Sequence, residues 1–189
     1  SKLCVITRNV DGAVKHIVQV GTGNYNEKTA RQYTDFSLIT TNKDIAAEAV
    51  NVFETLSLGQ FVENSQYMLV APLQMKSRFL DLIDAEIEAA KNGEPARVVA
   101  KINGLSDKNI IDKLVEASQA GVQVTLYIRG VCCMRAGVPG LTENVTIKSM
   151  VGRFLEHPRI FLFGYGERQH MYIGSADWMT RNLNYRVEV

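Results

Sequence analysis

Apolar positions along the chain alternate between strand-like runs and helix-like spacing, and the switches between the two set out an alternating α/β pattern. Lys2-Leu3-Cys4-Val5-Ile6 reads as a strand, Asn9-Val10-Asp11-Gly12 as a hairpin turn, and Val18-Gln19-Val20 as the returning strand. Asn42 can cap a helix with Ile45, Ala49, Val52, Phe53 and Leu56 on one face, and Gly59 can end it. A strand is predicted over 67–70. Phe79, Leu80, Ile83 and Ile87 then mark a second amphipathic helix, stopped by Asn92-Gly93 and Pro95. A buried strand follows over 98–102, and Ser106 can cap a third helix carrying Ile110, Ile111, Leu114 and Ala117. Gly121 stops that helix before a strand over 122–128. Strand, helix, strand in this length predicts a right-handed crossover with parallel pairing. The chain closes on a strand-like stretch, 185–189.

A second hairpin near the end repeats the first in outline. Arg159-Ile160-Phe161-Leu162-Phe163, a polar turn and Tyr172-Ile173 lead into Gly174-Ser175-Ala176-Asp177, as the opening hairpin leads into Gly21-Thr22-Gly23-Asn24. Each copy is a basic residue, an apolar strand, a turn, a second strand and a small-residue loop ending in Asn or Asp, which points to a duplicated site. His157 stands two residues before Arg159, on the same face of an extended segment. By that parallel the first copy's histidine falls immediately before Ser1. The hairpins add antiparallel strands to the parallel ones, so mixed sheets are expected. The polar link over 60–66 divides the chain into 1–66 and 67–189.

Composition narrows the class more than the function. With 46% hydrophobic and 22% charged residues, the chain can bury one sizeable core or two modest ones. The net charge of +1 conceals a split: residues 1–96 carry 9 Lys+Arg against 12 Asp+Glu, while residues 97–189 carry 12 against 8. The second part therefore favours an anion, weakly. Three cysteines, two of them adjacent at Cys132-Cys133, form neither a disulfide framework nor a zinc spacing, which favours a reducing, cytoplasmic setting. No apolar run approaches the ~20 residues of a membrane span. Ser1 opens directly in a strand pattern, so the chain is expected to be a piece of a longer protein.

Candidate chemistry collects at strand ends. In parallel sheets, ligands bind beyond the carboxyl ends of the strands, which selects Arg129-Gly130 and, next, the segment from Lys101 to Gly104. A guanidinium at Arg129 can clamp phosphate through paired hydrogen bonds. Surface arginines more often pair with a carboxylate, and isolated histidines are more often structural. His157 rises above that background because Arg153 and Arg159 flank it. The two small-residue loops let an anion or an imidazole approach the backbone closely. His16 and His170 lack such surroundings.

A basic strand followed by a Gly-Ser/Thr-x-Asn loop, present twice, resembles the phospholipase D superfamily, in which two half-sites meet at one phosphoryl-transfer centre. Longer runs narrow the resemblance. The run Val20-Gly21-Thr22-Gly23-Asn24-Tyr25-Asn26-Glu27-Lys28-Thr29-Ala30-Arg31-Gln32-Tyr33-Thr34-Asp35 resembles the signature of type 1 polyphosphate kinases. Glu116-Ala117-Ser118-Gln119-Ala120-Gly121-Val122, Ile128-Arg129-Gly130-Val131-Cys132-Cys133, Val151-Gly152-Arg153-Phe154-Leu155-Glu156-His157 and Ser175-Ala176-Asp177-Trp178-Met179 fit the same family in order.

The resemblance implies an α/β fold of two phospholipase D-like half-domains, each a mixed sheet flanked by helices, the first truncated at its N-terminus and the second at its C-terminus. It implies reversible transfer of the γ-phosphate of ATP onto inorganic polyphosphate through a phosphohistidine located just before Ser1, with Mg2+ whose ligands are expected upstream. This chain alone is then expected to be inactive. Lys2 and His157 become the catalytic residues present. Tyr33, Arg129 and His157 would contact ATP, with Tyr33 stacking on the base. Asn24, Arg153, Arg159, Asp177 and Arg181 would face phosphate or the polymer. ATP, ADP and polyphosphate are the implied partners, nucleic acid is not, and the intact enzyme is expected to be a cytoplasmic homo-oligomer with room for peripheral membrane association.

Two positions depart from the superfamily pattern: Asp177 replaces Asn, and Arg159 replaces Lys. Asp177 would either orient His157 or cap the segment beginning at Trp178. Two alternatives stay open: a phosphodiesterase using the same paired histidines, and a noncatalytic module for anionic polymers. The second lacks aromatic residues interleaved with the basic ones.

Overall fold

A computed structural model describes residues 2–189, and Ser1 lies outside the described residues. The expected α/β architecture is present, with sheets flanked by helices. Strands β1 (Leu3–Val10) and β2 (Ala13–Gly21) form a hairpin in which Val10 pairs with Ala13 and Leu3 with Val20. Asp11 and Gly12 close it with φ of 54° and 80°, the left-handed pair a tight hairpin needs. Helix α1 (Glu27–Ala30) and strand β3 (Tyr33–Thr34) lead to β4 (Ser37–Thr40), and helix α2 (Lys43–Ser57) follows. Asn42 caps α2, its side-chain oxygen accepting from the amides of Asp44 and Ile45 at 3.0 and 3.1 Å. The first sheet runs β1-β2-β4 and every pairing in it is antiparallel, so the expected mixed sheet is not found in this half.

The mixed sheet belongs to the second half. Helix α3 (Met75–Lys91), strand β5 (Arg97–Ile102), helix α4 (Lys108–Gln119), and strands β6 (Gln123–Ile128) and β7 (Val145–Lys148) precede the short strand β8 (Leu155–Glu156). Strands β9 (Arg159–Phe163) and β10 (His170–Gly174) form the second hairpin, and helix α5 (Thr180–Tyr185) follows it. The sheet order is β10-β9-β5-β6-β7, parallel from β5 to β7 and antiparallel through β9 and β10. Phe79 of α3 packs against Phe161, Phe163 and Trp178, with ring centroids 4.6, 6.3 and 5.7 Å away. These aromatics centre the larger core.

Three local expectations are corrected. Residues 67–70 are not a strand: Met68, Leu69 and Val70 are buried in irregular chain, where three Met68-side amides find a carboxylate instead of a ladder, Glu48 accepting from Gln66, Tyr67 and Met68. Helix α4 is capped by Asp107, not Ser106. Its Oδ1 accepts from Asn109 and Ile110, while Lys76 and Thr180 hold Oδ2, so a buried carboxylate with four donors outcompetes the neighbouring hydroxyl. The closing stretch 185–189 is not a strand either. Tyr185 ends α5, and the tail runs back between the halves, Glu188 O accepting from Ala71 N and Val189 O from Ser175 N.

That tail changes how the halves relate. The smaller core joins Val18 and Val20 of the first sheet and Ala46, Ala49 and Val52 of α2 with Met68, Val70 and Val189. Residues far along the sequence thus complete the core of the first half, and a cut at 66/67 would pass through it.

Candidate active site

The halves meet where β3 pairs in parallel with β8, Tyr33 opposite Leu155 and Thr34 opposite Glu156. Asp35 follows β3 and His157 follows β8, so the parallel pairing brings the two side by side. His157, buried, is bonded to Asp35 across the junction, Nδ1 to Oδ1 at 2.8 Å. Tyr33 covers the imidazole at 4.9 Å between ring centroids. Arg159 Nη1 lies 2.9 Å from His157 Nε2. A guanidinium can only donate, so Nε2 holds the lone pair and Nδ1 carries the proton given to Asp35.

Arg159 is itself fixed. Its Nε and Nη2 donate to the two oxygens of Asp177 at 3.2 and 3.1 Å, a paired arrangement among buried groups. Asp177 Oδ1 also accepts from the amide of Asn103, just beyond β5, at 2.7 Å. Asn103 Oδ1 in turn accepts from Arg129 Nε at 3.0 Å. Asp177 therefore holds Arg159 and the strand end, while the orientation of His157 falls to Asp35. One hydrogen-bonded chain runs Arg129, Asn103, Asp177, Arg159, His157, Asp35, Thr22.

A cleft of about 620 Å³ opens beside this chain, lined by Gln32, Tyr33, Arg129 and the segment 150–156. Arg129 stands at the end of β6, where the parallel-strand rule puts it, with its remaining nitrogens beyond the bond to Asn103. Arg153 is exposed on the cleft wall, 5.5 Å over the ring of Phe154. Asn24 is exposed in the first loop, and Arg181 is exposed in the first turn of α5. Lys101, half-buried at the end of β5, reaches Glu156 and the carbonyl of Pro158, both at 3.3 Å, and so fixes the chain on both sides of His157.

The two loops that end the hairpins are built alike. Thr22 Oγ1 donates to Asp35 Oδ1 at 2.7 Å, and Thr22 N donates to Phe36 O at 3.0 Å. Ser175 Oγ donates to Glu188 Oε2, and Ser175 N donates to Val189 O at 3.0 Å. In each case the hydroxyl and the acid are 13 residues apart. The internal repeat is real in three dimensions, and Glu188 is the counterpart of Asp35.

Comparison with known proteins agrees with this duplicated geometry. Residues 68–189 match the family model for polyphosphate kinase C-terminal domain 2, and residues 1–62 match that for C-terminal domain 1. The chain belongs to the polyphosphate kinase C-terminal family. It is 46% identical to the polyphosphate kinase of Staphylococcus epidermidis over 189 residues, and 44% identical to that of Bacillus anthracis over the same length. All of the chain is matched in both, but only 26% and 27% of the relatives, so it spans about a quarter of their length. The crystal structure of polyphosphate kinase from Porphyromonas gingivalis superposes with a TM-score of 0.86 at 37% identity, covering 97% of this chain and 28% of that one.

Electrostatics in this polyphosphate kinase segment favour neutral imidazole. Burial pushes the His157 pKa below its ordinary 6.5, the bond to Asp35 works against that shift, and Arg159 and Lys2 add to it. Burial also lowers the Lys2 pKa, with Glu188 and Asp35 opposing and Arg159 and Arg186 assisting. Lys2 thus sits among charges from both halves, and these include three groups the sequence did not single out, Asp35, Glu188 and Arg186. The equal spacing from Thr22 to Asp35 and from Ser175 to Glu188 was the signal that could have found the two acids. Arg186 had no such signal, because irregular chain past α5 returns it to the site.

Proposed function

We propose that the intact enzyme transfers the γ-phosphate of ATP reversibly to inorganic polyphosphate through a histidine immediately before Lys2's neighbour Ser1, with this chain supplying the second histidine and most of the phosphate cradle. The observation that carries the reading is the bond from His157 to Asp35 across the two halves, mirrored by the Ser175–Glu188 pair beside Lys2. One carboxylate from each half is thus available to orient an imidazole of the other.

In the first half-reaction the nucleophilic imidazole nitrogen attacks the γ-phosphorus. A P–N bond forms as the bond to the β-phosphate oxygen breaks, and ADP leaves. As the entering polyanion draws Arg159 Nη1 away from His157 Nε2, that nitrogen takes up a proton and donates it to the departing oxygen while Asp35 holds Nδ1. Lys2, Arg129 and Arg159 neutralise the non-bridging oxygens. In the second half-reaction a terminal oxygen of polyphosphate attacks the same phosphorus, the P–N bond breaks, and the polymer gains one unit. Tyr33 and the cleft lined by 150–156 take the nucleotide. Among the described residues no group of three His, Cys, Asp or Glu side chains could hold a metal ion, so magnesium would enter on the nucleotide phosphates, held by groups elsewhere in the intact enzyme, and would offset their charge.

The test is chemical. Intact enzyme incubated with magnesium and γ-labelled ATP should hold an acid-labile, base-stable label that added polyphosphate removes into polymer. The label should vanish when the residue before Ser1 is replaced. A folded, ATP-binding enzyme that never holds label, or that releases it to water alone, would favour a phosphodiesterase and end this reading.

A further inference from the structure

The two half-sites share a frame, and one of their differences joins the loop to its acid. The first has Gly23 after the hydroxyl and Asp35 as its acid. The second has Ala176 after the hydroxyl and Glu188, one methylene longer, as its acid. A Cβ added to Gly23 would lie 2.6 Å from Asp35 Cγ and 2.8 Å from Asp35 Cβ, closer than real side chains approach. Its backbone needs no positive φ, so the nearest obstacle to a side chain there is Asp35 itself.

We propose that Gly23 is a positioning residue for the phosphoryl-transfer centre: the missing Cβ seats the Asp35 carboxylate where it reaches His157 across the half-site junction. This rests on the role given to His157 above. The short acid must come in close over the loop to place Oδ1 within 2.7 Å of Thr22 Oγ1 and 2.8 Å of His157 Nδ1 at once. One oxygen serves both partners, so a displacement of an ångström loses the imidazole. In the second half Glu188, one methylene longer, takes a further anchor: buried Asn182 of α5 donates from Nδ2 to Oε1 at 3.0 Å, while Ser175 holds Oε2. The first acid is seated by shape, the second by hydrogen bonds to both oxygens.

Gly23 therefore fits its loop to the short Asp35, and at the corresponding positions the second half has Ala176 and the longer Glu188. Gly23→Ala should push the Asp35 side chain outward, which its partial exposure permits, rather than unfold the chain. His157 then loses its cross-half acceptor. Since the Asp35 bond and charge raise the His157 pKa against burial, Arg159 and Lys2, that loss moves its titration to lower pH.

The experiment uses intact enzyme carrying Gly23→Ala, Asp35→Glu, and both together. Turnover, KM for ATP, thermal midpoint and the pH titration of isotopically labelled His157 are measured for each. Gly23→Ala is expected to lower kcat by about 10- to 100-fold with KM for ATP and the thermal midpoint little changed, and to shift the His157 titration toward acid. The double variant, which reproduces the second loop's pairing, is expected to recover several-fold over Gly23→Ala and to move the titration back. An unshifted His157 titration in Gly23→Ala, or a double variant no better than either single, overturns the proposal. A shifted titration in an enzyme whose turnover ignores His157 altogether would leave Gly23 as the seat of Asp35 and sink the catalytic reading instead.

Discussion

Each hairpin of this chain delivers a hydroxyl to an acid 13 residues onward, yet the two halves are stabilised in different ways. The second half has its own mixed sheet, two long helices on it and an aromatic centre of Phe79, Phe161, Phe163 and Trp178. The first has three antiparallel strands and one long helix, and its core is completed by Met68, Val70 and Val189. Exchange of parts runs through the candidate site as well: Asp35 crosses from the first half to His157 in the second, and the tail bearing Glu188 packs between them. The lesson is that the site is a product of the junction. Neither hairpin alone orients an imidazole.

The sharpest way to break this comparison is to remove what the junction holds. His157→Ala in the intact enzyme is expected to lower turnover by about 10²- to 10⁴-fold, the usual reach of a positioned acid-base group, while the melting temperature moves little. A variant that instead melts many degrees lower at unchanged specific activity would make His157 a packing residue of the junction. Arg129→Ala comes next. Its guanidinium ends the hydrogen-bonded chain on the cleft side, and its loss should cost about 2–4 kcal/mol in kcat/KM for ATP. Unchanged turnover at limiting ATP would remove Arg129 from the phosphate cradle.

Much of the second half was legible because its signals are local. The apolar spacing of Phe79, Ile83 and Ile87 gives α3, and Val98, Ala100 and Ile102 mark β5 by their buried alternation. The hairpins and their small-residue loops were equally plain. What the sequence hid was set by distant partners. Residues 67–70 look strand-like because they are apolar, but Leu69 enters the larger core and Met68 and Val70 the smaller one, with Glu48 taking the amides of Tyr67 and Met68. Asp107 displaces Ser106 as a cap because Lys76 and Thr180, far off in sequence, share it. Asp177 was expected to orient His157 or to cap the next segment, whereas the buried Arg159 claims it. Spacing can show that an acid exists, but the three-dimensional junction decides which base it meets.

The matched hydroxyls allow a finer comparison. Thr22→Val removes the side-chain donor that anchors Asp35, and the same oxygen also serves His157. Ser175→Ala removes one of two anchors from Glu188, because Asn182 still holds the other oxygen. Loss of a hydrogen bond to a charged group is worth about 1.5–3 kcal/mol. The Thr22 variant should show that loss in turnover, and the Ser175 variant should show less. Equal losses would mean that Asn182 does not share the load.

The smallest expected effect reads the junction through the pH dependence of stability at His157. Burial holds the folded-state pKa of His157 below the unfolded value of 6.5, so in the window between those values the unfolded chain binds more protons than the folded one. Stability contributed by neutral His157 is therefore fully present above about pH 6.5 and is lost as pH falls through that window toward the folded pKa. Thermal midpoints of the chain measured from pH 7.5 down to 5 should fall less steeply in His157→Gln than in the unaltered chain. Parallel slopes for the two would mean that the folded chain admits a proton at His157 freely, with Asp35 outweighing burial rather than merely opposing it.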